Sequence, residues 1–225
     1  MPLVTYKALC IDAADVSAVE GFWSRTLGYD VEQLDDGDAV LRGSEPGEEV
    51  WINLVPEPRT VKQRAHIDVR AESLEPFAGL ERVTEEGQFH WTTLLDPEGG
   101  EFCVFTYDEP PVKKFKSLVI DSVDHVAISD WWAEVIGGDL THDESGYSPL
   151  EEIPGLPTEG FDFVPVPEPK SVKNRIHWDV TLLEGATVDD LVALGATVLD
   201  PAGESHVWTV MADPEGNEFC VFPTA

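Results

Sequence analysis

Apolar and polar positions change period several times along the first half of the chain, and each change marks an element. Leu9 and Ile11 alternate with smaller or polar neighbours and run into "DAAD", the pattern of a strand leading to a helix start. Asp15 is placed to cap that helix. Val16, Val19, Phe22, Trp23 and Leu27 then form one stripe at helical spacing, and Gly28 ends it. Alternation returns in "DAVLRG" and "VWINLV", two short strands closed by a Pro-Glu-Pro loop that cannot continue a ladder. "AHIDVR" predicts a further strand, followed by a short, proline-interrupted helix near 73–82. "FHWTTLL", the turn "DPEG" and the strand "EFCVF" complete the series, with proline presetting φ for the turn and glycine closing it.

The same series is then repeated. "YKALCIDAADVSAVEGFWSRTLGY" at 6–29 lies over "FKSLVIDSVDHVAISDWWAEVIGG" at 115–138, and "VPEPRTVKQRAHIDV" at 55–69 over "VPEPKSVKNRIHWDV" at 166–180. "DPEGGEFCVF" at 96–105 returns as "DPEGNEFCVF" at 213–222. The offset grows slowly, from 109 to 117, as expected if the second copy carries a few loop insertions. "TVDDLVALGA" reads as a cleaner helix than its counterpart in copy one. The reading is two modules, 1–108 and 115–225, joined by a linker at 109–114 within the proline- and charge-rich "YDEPPVKK". Each module is βαβββ taken twice, an α+β fold.

Composition narrows the function. Fourteen basic residues stand against 44 acidic ones, a net charge of −30, which repels nucleic acid and anionic membrane and would concentrate cationic ligands. The carboxylates are scattered, so the plainer role of the charge is solubility. No run of about 18 apolar residues is present to span a membrane, and the N-terminus lacks the segments of a signal peptide. Three cysteines, Cys10, Cys103 and Cys220, make no disulfide framework, so a cytoplasmic protein with reduced thiols is expected. Gly-rich phosphate loops, Walker sequences and serine nucleophile elbows do not occur.

The "FW…LGY" helix end, the "R-x-H-x-D-V" strand, the "DPEGNEF" turn and the duplication together resemble the vicinal oxygen chelate superfamily of glyoxalases, bleomycin-resistance proteins and extradiol dioxygenases. The resemblance covers nearly the whole chain, twice over, and looks closest to tandem glyoxalase-like domain proteins. It implies curled mixed sheets around a central cleft, with the two modules pairing as an internal pseudo-dimer that needs no second chain. It also implies a divalent metal held by His, Glu or Gln ligands, polarising substrate oxygens. Carried over residue by residue, the histidine-strand ligand falls on His66 and His177. The last-strand glutamate is replaced by Cys103 and Cys220. The first-strand position falls on Ala8 and Ser117, and the middle-strand position on Asn53 and Val164. The expectation is therefore no metal and no cofactor, with Zn, Ni, Mn or Fe at an unconventional site as the alternative.

Bland roles compete with functional ones throughout. Lys62, Arg64, His66 and Asp68 share a face by alternation, as do Lys173, Arg175, His177 and Asp179, and such ladders can satisfy themselves. Glu101 and Glu218 share a face with Cys103 and Cys220, or are solvated strand ends. The cysteines lie mid-strand in an acidic chain, poor surroundings for a nucleophile, and no catalytic residue is assigned. Trp51, Trp91 and Trp208 fall on predicted strands, and Trp51 shares the inward face with Asn53. Aromatic walls with a few polar groups describe a ligand pocket made of Trp51, Asn53, His66, Glu101, Cys103, His177, Glu218, Cys220, Trp91 and Trp208. The expected function is metal-independent binding or sequestration of a small, cationic or aromatic molecule. The alternative is a divalent-metal-dependent lyase, isomerase or dioxygenase acting on a small oxygenated substrate.

Overall fold

The computed structural model describes residues 1–224. Copy one opens with β1 (Val4–Ala13), α1 (Val16–Leu27), β2 (Asp30–Gln33), β3 (Ala39–Arg42) and β4 (Glu49–Leu54). It continues with β5 (Ala65–Ala71), a 3-10 turn (Glu75–Phe77), β6 (Thr92–Leu95) and β7 (Glu101–Thr106). Copy two repeats the order: β8 (Phe115–Ser122), α2 (His125–Ile136), β9 (Asp139–Leu140), β10 (Ser148–Glu151) and β11 (Gly160–Pro165), then β12 (Ile176–Leu182), α3 (Val188–Ala193), β13 (Thr197–Asp200), β14 (Thr209–Ala212) and β15 (Glu218–Phe222).

Neither mixed sheet belongs to one copy. The first runs β13-β14-β15-β12-β1-β4-β3-β2 and the second β6-β7-β5-β8-β11-β10-β9. Each joins the first half of one copy to the second half of the other. The seams are antiparallel: β1 pairs β12 with Cys10 opposite His177, and β5 pairs β8 with His66 opposite Val119. No helix is long and apolar enough to cross a membrane among the described residues.

The helix reading holds in detail. The Asp15 carboxylate accepts from Ala18 N, and Gly28 closes α1 at φ 80°, where a side chain would be strained. Val16, Val19, Phe22, Trp23 and Leu27 are all buried. Trp23 meets Phe102 edge-on at 5.5 Å, and Trp132 of α2 meets Phe219 at 5.1 Å, so each helix is pinned to the last strand of its own copy, across the core from its own sheet. Some expectations fail locally. The helix near 73–82 is only the 3-10 turn, because Pro76 removes a backbone donor there. Its counterpart α3 has a capping box between Thr187 and Asp190. β2 and β9 were not legible. The partner that β13 would have in copy one shrinks to a single bridge, Arg82 to Leu94. Trp91 and Trp208 precede β6 and β14 rather than lying on them.

Candidate functional site

Strand alternation decides which residues can meet. Leu9 and Ile11 of β1 and Ile176 and Trp178 of β12 enter the core beneath the helices. Cys10, Asp12, His177 and Asp179 therefore share the opposite face, with Trp51 and Asn53 on β4 and Cys220 on β15. Cys10 Sγ lies 3.5 Å from Asp179 Oδ1. His177 Nε2 lies 3.3 Å from Asp12 Oδ1, and Lys173 Nζ donates to Asp12 Oδ2 at 2.6 Å. Asn53 donates more weakly to Asp12 at 3.4 Å. Burial raises the Asp12 pKa, but His177 and Lys173 outweigh it and bring the carboxyl down to about 2. Burial, with Asp179 alongside, pushes the Cys10 and Cys220 thiols well up, so neither is an activated nucleophile.

The equivalent face of the second sheet is built differently. His66 Nε2 lies 3.5 Å from Asp68 Oδ1 and 3.6 Å from Cys103 Sγ, which also meets Thr93 Oγ1 at 3.3 Å. Burial opposes charge on His66, but Asp68 and Cys103 prevail and raise it to about 10, so this imidazole is protonated at neutral pH. Val119 stands where β1 carries Cys10. Asp121 is taken by Lys62 at 2.8 Å and makes no equivalent of the His177–Asp12 contact.

The ten residues expected to line one pocket separate. Trp51, Asn53, His177 and Cys220 gather on the first sheet, and His66, Glu101 and Cys103 on the second. Glu218 is buried and structural: Lys170 Nζ holds it at 2.6 Å and the Asn174 amide at 3.1 Å. Trp91 stacks on Phe89 at 4.6 Å and on Phe105 of β7 at 5.7 Å, and Trp208 stacks on His206 at 4.8 Å and leans on Phe222 of β15 at 5.4 Å. The ladders expected from alternation hold only for His66 with Asp68 and His177 with Asp179. Lys62, Arg64, Lys173 and Arg175 lie in the loops before β5 and β12, because the strands start later.

Those loops enclose a cavity of about 590 Å³, lined by residues 57–64 and their counterparts in 166–175, with Asp12 and Asp121 at its floor. Sequence reasoning did not assemble this cavity, although the repeated "VPEP" loop was its visible signal. It also missed Cys10 as a site residue. The period-two pattern of β1 put Cys10 on the Asp12 face, but its neighbour comes from the other copy.

The metal implied by the resemblance can be tested against the donors present. Among the described residues, Cys10, His177 and Asp179 form one group with ligand atoms within 4.8 Å, and His66, Asp68 and Cys103 form another. His66 Nδ1, His177 Nδ1 and Asp68 Oδ1 are buried without hydrogen-bond partners. A thiol, an imidazole and a carboxylate suit a thiophilic ion such as zinc, with a position left for a ligand. Ala8 and Ser117, at the first-strand ligand positions, supply no imidazole or carboxylate. The fit is therefore to zinc at these trios, not to a sphere of histidine and glutamate.

The sheets, the repeated helix-and-turn order and the facing histidine strands define a tandem vicinal oxygen chelate protein. The sequence profile of the glyoxalase-like domain matches residues 8–105 and again 117–222. The chain belongs to the glyoxalase-like domain family and carries the domain twice. Among solved structures, it is similar in fold to glyoxalase I from Zea mays, at 13% identity over 97% of this chain and 92% of that one, with a TM-score of 0.71. It is also similar to the cppA protein of Streptococcus pneumoniae TIGR4, at 14% identity over 99% of both chains, with a TM-score of 0.56. No curated protein sequence matches the chain significantly.

Proposed function

We propose that the protein binds or sequesters a small molecule in the cavity between its two repeated loops, without a metal. The supporting observation is the cavity itself. At about 590 Å³ it is within the usual size of small-molecule sites. No histidine or cysteine lines it among the described residues, and Asp12 and Asp121 are held by Lys173 and Lys62, which favours recognition over nucleophilic chemistry. The global charge favours a cationic ligand, but the aromatic walls that would have held one do not line the cavity.

The test is a thermal-shift screen of small molecules against the intact chain and a variant carrying Val61→Trp and Val172→Trp. Both valines line the cavity and are part-exposed at its surface, so tryptophans there fill space without disturbing the core. Stabilising compounds should lose their effect in the filled variant. Compounds that stabilise both proteins equally would place the ligand elsewhere.

A second reading, metal-dependent lyase, isomerase or dioxygenase chemistry, is favoured by the two Cys-His-Asp groups and by the fold shared with a glyoxalase I. A zinc ion bound at Cys10, His177 and Asp179 would polarise an oxygen of a ligand entering from the sheet face. Lys7, 3.8 Å from Asp179, would then compete with the ion for that carboxylate. Metal analysis separates the readings. Close to one ion per chain, removed by Cys10→Ser or His177→Ala, would displace the metal-independent reading.

A further inference from the structure

The chain's few cations are not spread evenly. Five of its fourteen, Arg59, Lys62, Arg64, Lys173 and Arg175, line the cavity between the loops. Only four of its 44 acidic residues do: Asp12, Glu57, Asp121 and Glu168. A protein of net charge −30 thus has a wall far richer in cations than the rest of the chain.

Most of these cations are already engaged. Lys62 and Lys173 hold Asp121 and Asp12. Arg175 donates to the Glu57 carbonyl at 2.8 Å and to Glu98 Oε2 at 3.2 Å. Arg59 donates to the carbonyls of Glu98 and Val61. Arg64, the repeat counterpart of Arg175, differs: its Nε is buried without a hydrogen-bond partner. Beside it, Gln63 is only 8% exposed, and its Oε1 is likewise buried and unpartnered. Its counterpart Asn174 spends its side chain on Asn217 at 3.0 Å. Arg64 thus lines the cavity with a guanidinium nitrogen left unpaired. Unmet polar groups of this kind are costly in an empty site and are relieved by a ligand that completes them.

We infer that the cavity takes a small oxyanion-bearing molecule, a carboxylate or phosphate, whose anionic group is received by Arg64 on the copy-one wall. This rests on the cavity being the ligand site proposed above and adds the sign and the anchoring residue. A guanidinium presents a planar fork to two oxygens of one oxyanion, which an ammonium cannot do.

The experiment is calorimetric titration of the full chain with L-malate, inorganic phosphate and choline, each at the same ionic strength. One malate or phosphate per chain should bind saturably, and choline should not. Arg64→Gln should weaken that binding at least tenfold. Arg64→Lys should recover part of it, because charge returns without the fork. Arg25→Gln, outside the cavity, should leave it unchanged. Choline binding without either anion, lost in the Val61→Trp, Val172→Trp protein, would keep the ligand-binding reading and overturn the anionic one. Anion binding that survives Arg64→Gln would overturn the placement. Failure of all three probes would count against both.

Discussion

The turns "DPEGG" at 96–100 and "DPEGN" at 213–217 differ in a single residue, yet they solve one packing problem in opposite ways. In copy two, Asn217 fills the corner: its amide donates to Asp213 Oδ2 at 3.0 Å, and Asn174 donates to its carbonyl oxygen at 3.0 Å. In copy one the corner is filled from the other side. Gln63, one methylene longer than Asn174, reaches in, and a Cβ on Gly100 would sit 2.6 Å from Gln63 Nε2 and 2.7 Å from Asp96 Oδ2. Short with long in one copy matches medium with medium in the other. The comparison teaches that the repeat preserves volume rather than residues. It also leaves Gln63 Oε1 buried without a partner, whereas the Asn174 amide is consumed by the turn.

Four measurements test how far the two copies differ. The largest effect is expected where the two copies agree. Trp132→Ala, which empties a fully buried indole site, should cost roughly 3–5 kcal/mol in denaturant unfolding. A loss below about 1 kcal/mol would mean that α2 is not anchored as described.

Next, Gly100→Asn should destabilise by about 1–3 kcal/mol even though its twin is asparagine, through overpacking against Gln63. Adding Gln63→Asn should recover most of that loss. Additive effects in the double-mutant cycle would refute the volume exchange.

A smaller difference separates the two helix tryptophans. Trp132 Nε1 donates to Asp213 Oδ2 at 3.1 Å, whereas Trp23 Nε1 is buried without a partner. Trp132→Phe should therefore cost about 1 kcal/mol more than Trp23→Phe. Equal costs would show that the Asp213 bond contributes nothing.

The smallest effect is a matter of pH. Burial raises the Asp213 carboxyl to about 6, against the donated bonds of Asn217 and Trp132. A folded pKa above the unfolded one means that the stabilising contribution is complete below the unfolded value near 3.8. It is lost as pH rises through about 6. Removing the indole donor in Trp132→Phe should move the Asp213 midpoint further up in a carbon-detected NMR titration. A downward or absent shift would contradict the assignment. His66, raised to about 10, acts in the same sense over a higher window: its contribution is complete below the unfolded value near 6.5 and is lost as pH rises to about 10.

Much of this molecule was legible in the chain because it is local. Asp15, the stripe from Val16 to Leu27, and Gly28 specify α1 within one stretch of sequence, and the structure places each as its chemistry requires. Cys103 and Cys220, read as mid-strand residues, lie within β7 and β15. Where reading failed, a weak local signal was decided by distant partners. β2 is exposed along its whole length and exists only because β3 pairs with it. Glu218 looked like a solvated strand end until Lys170, 48 residues away, closed over it. Trp91 and Trp208 had strand-like neighbours, but they precede β6 and β14, and their rings pack on Phe105 and Phe222 of the last strands.

The repeat, most elements of each copy and the glyoxalase-like family were legible in the chain alone. These are written in residue types and in spacings of a few positions. That each sheet takes half of each copy emerges only in the folded chain, because β pairing is non-local and β1 has partners on both of its edges. That exchange brings Cys10 to His177 across 167 residues of chain and leaves Val119 opposite His66. It also gathers cations from two loops 111 residues apart around one cavity. A charge count sums the whole chain, whereas a ligand meets only the few side chains that folding places around it.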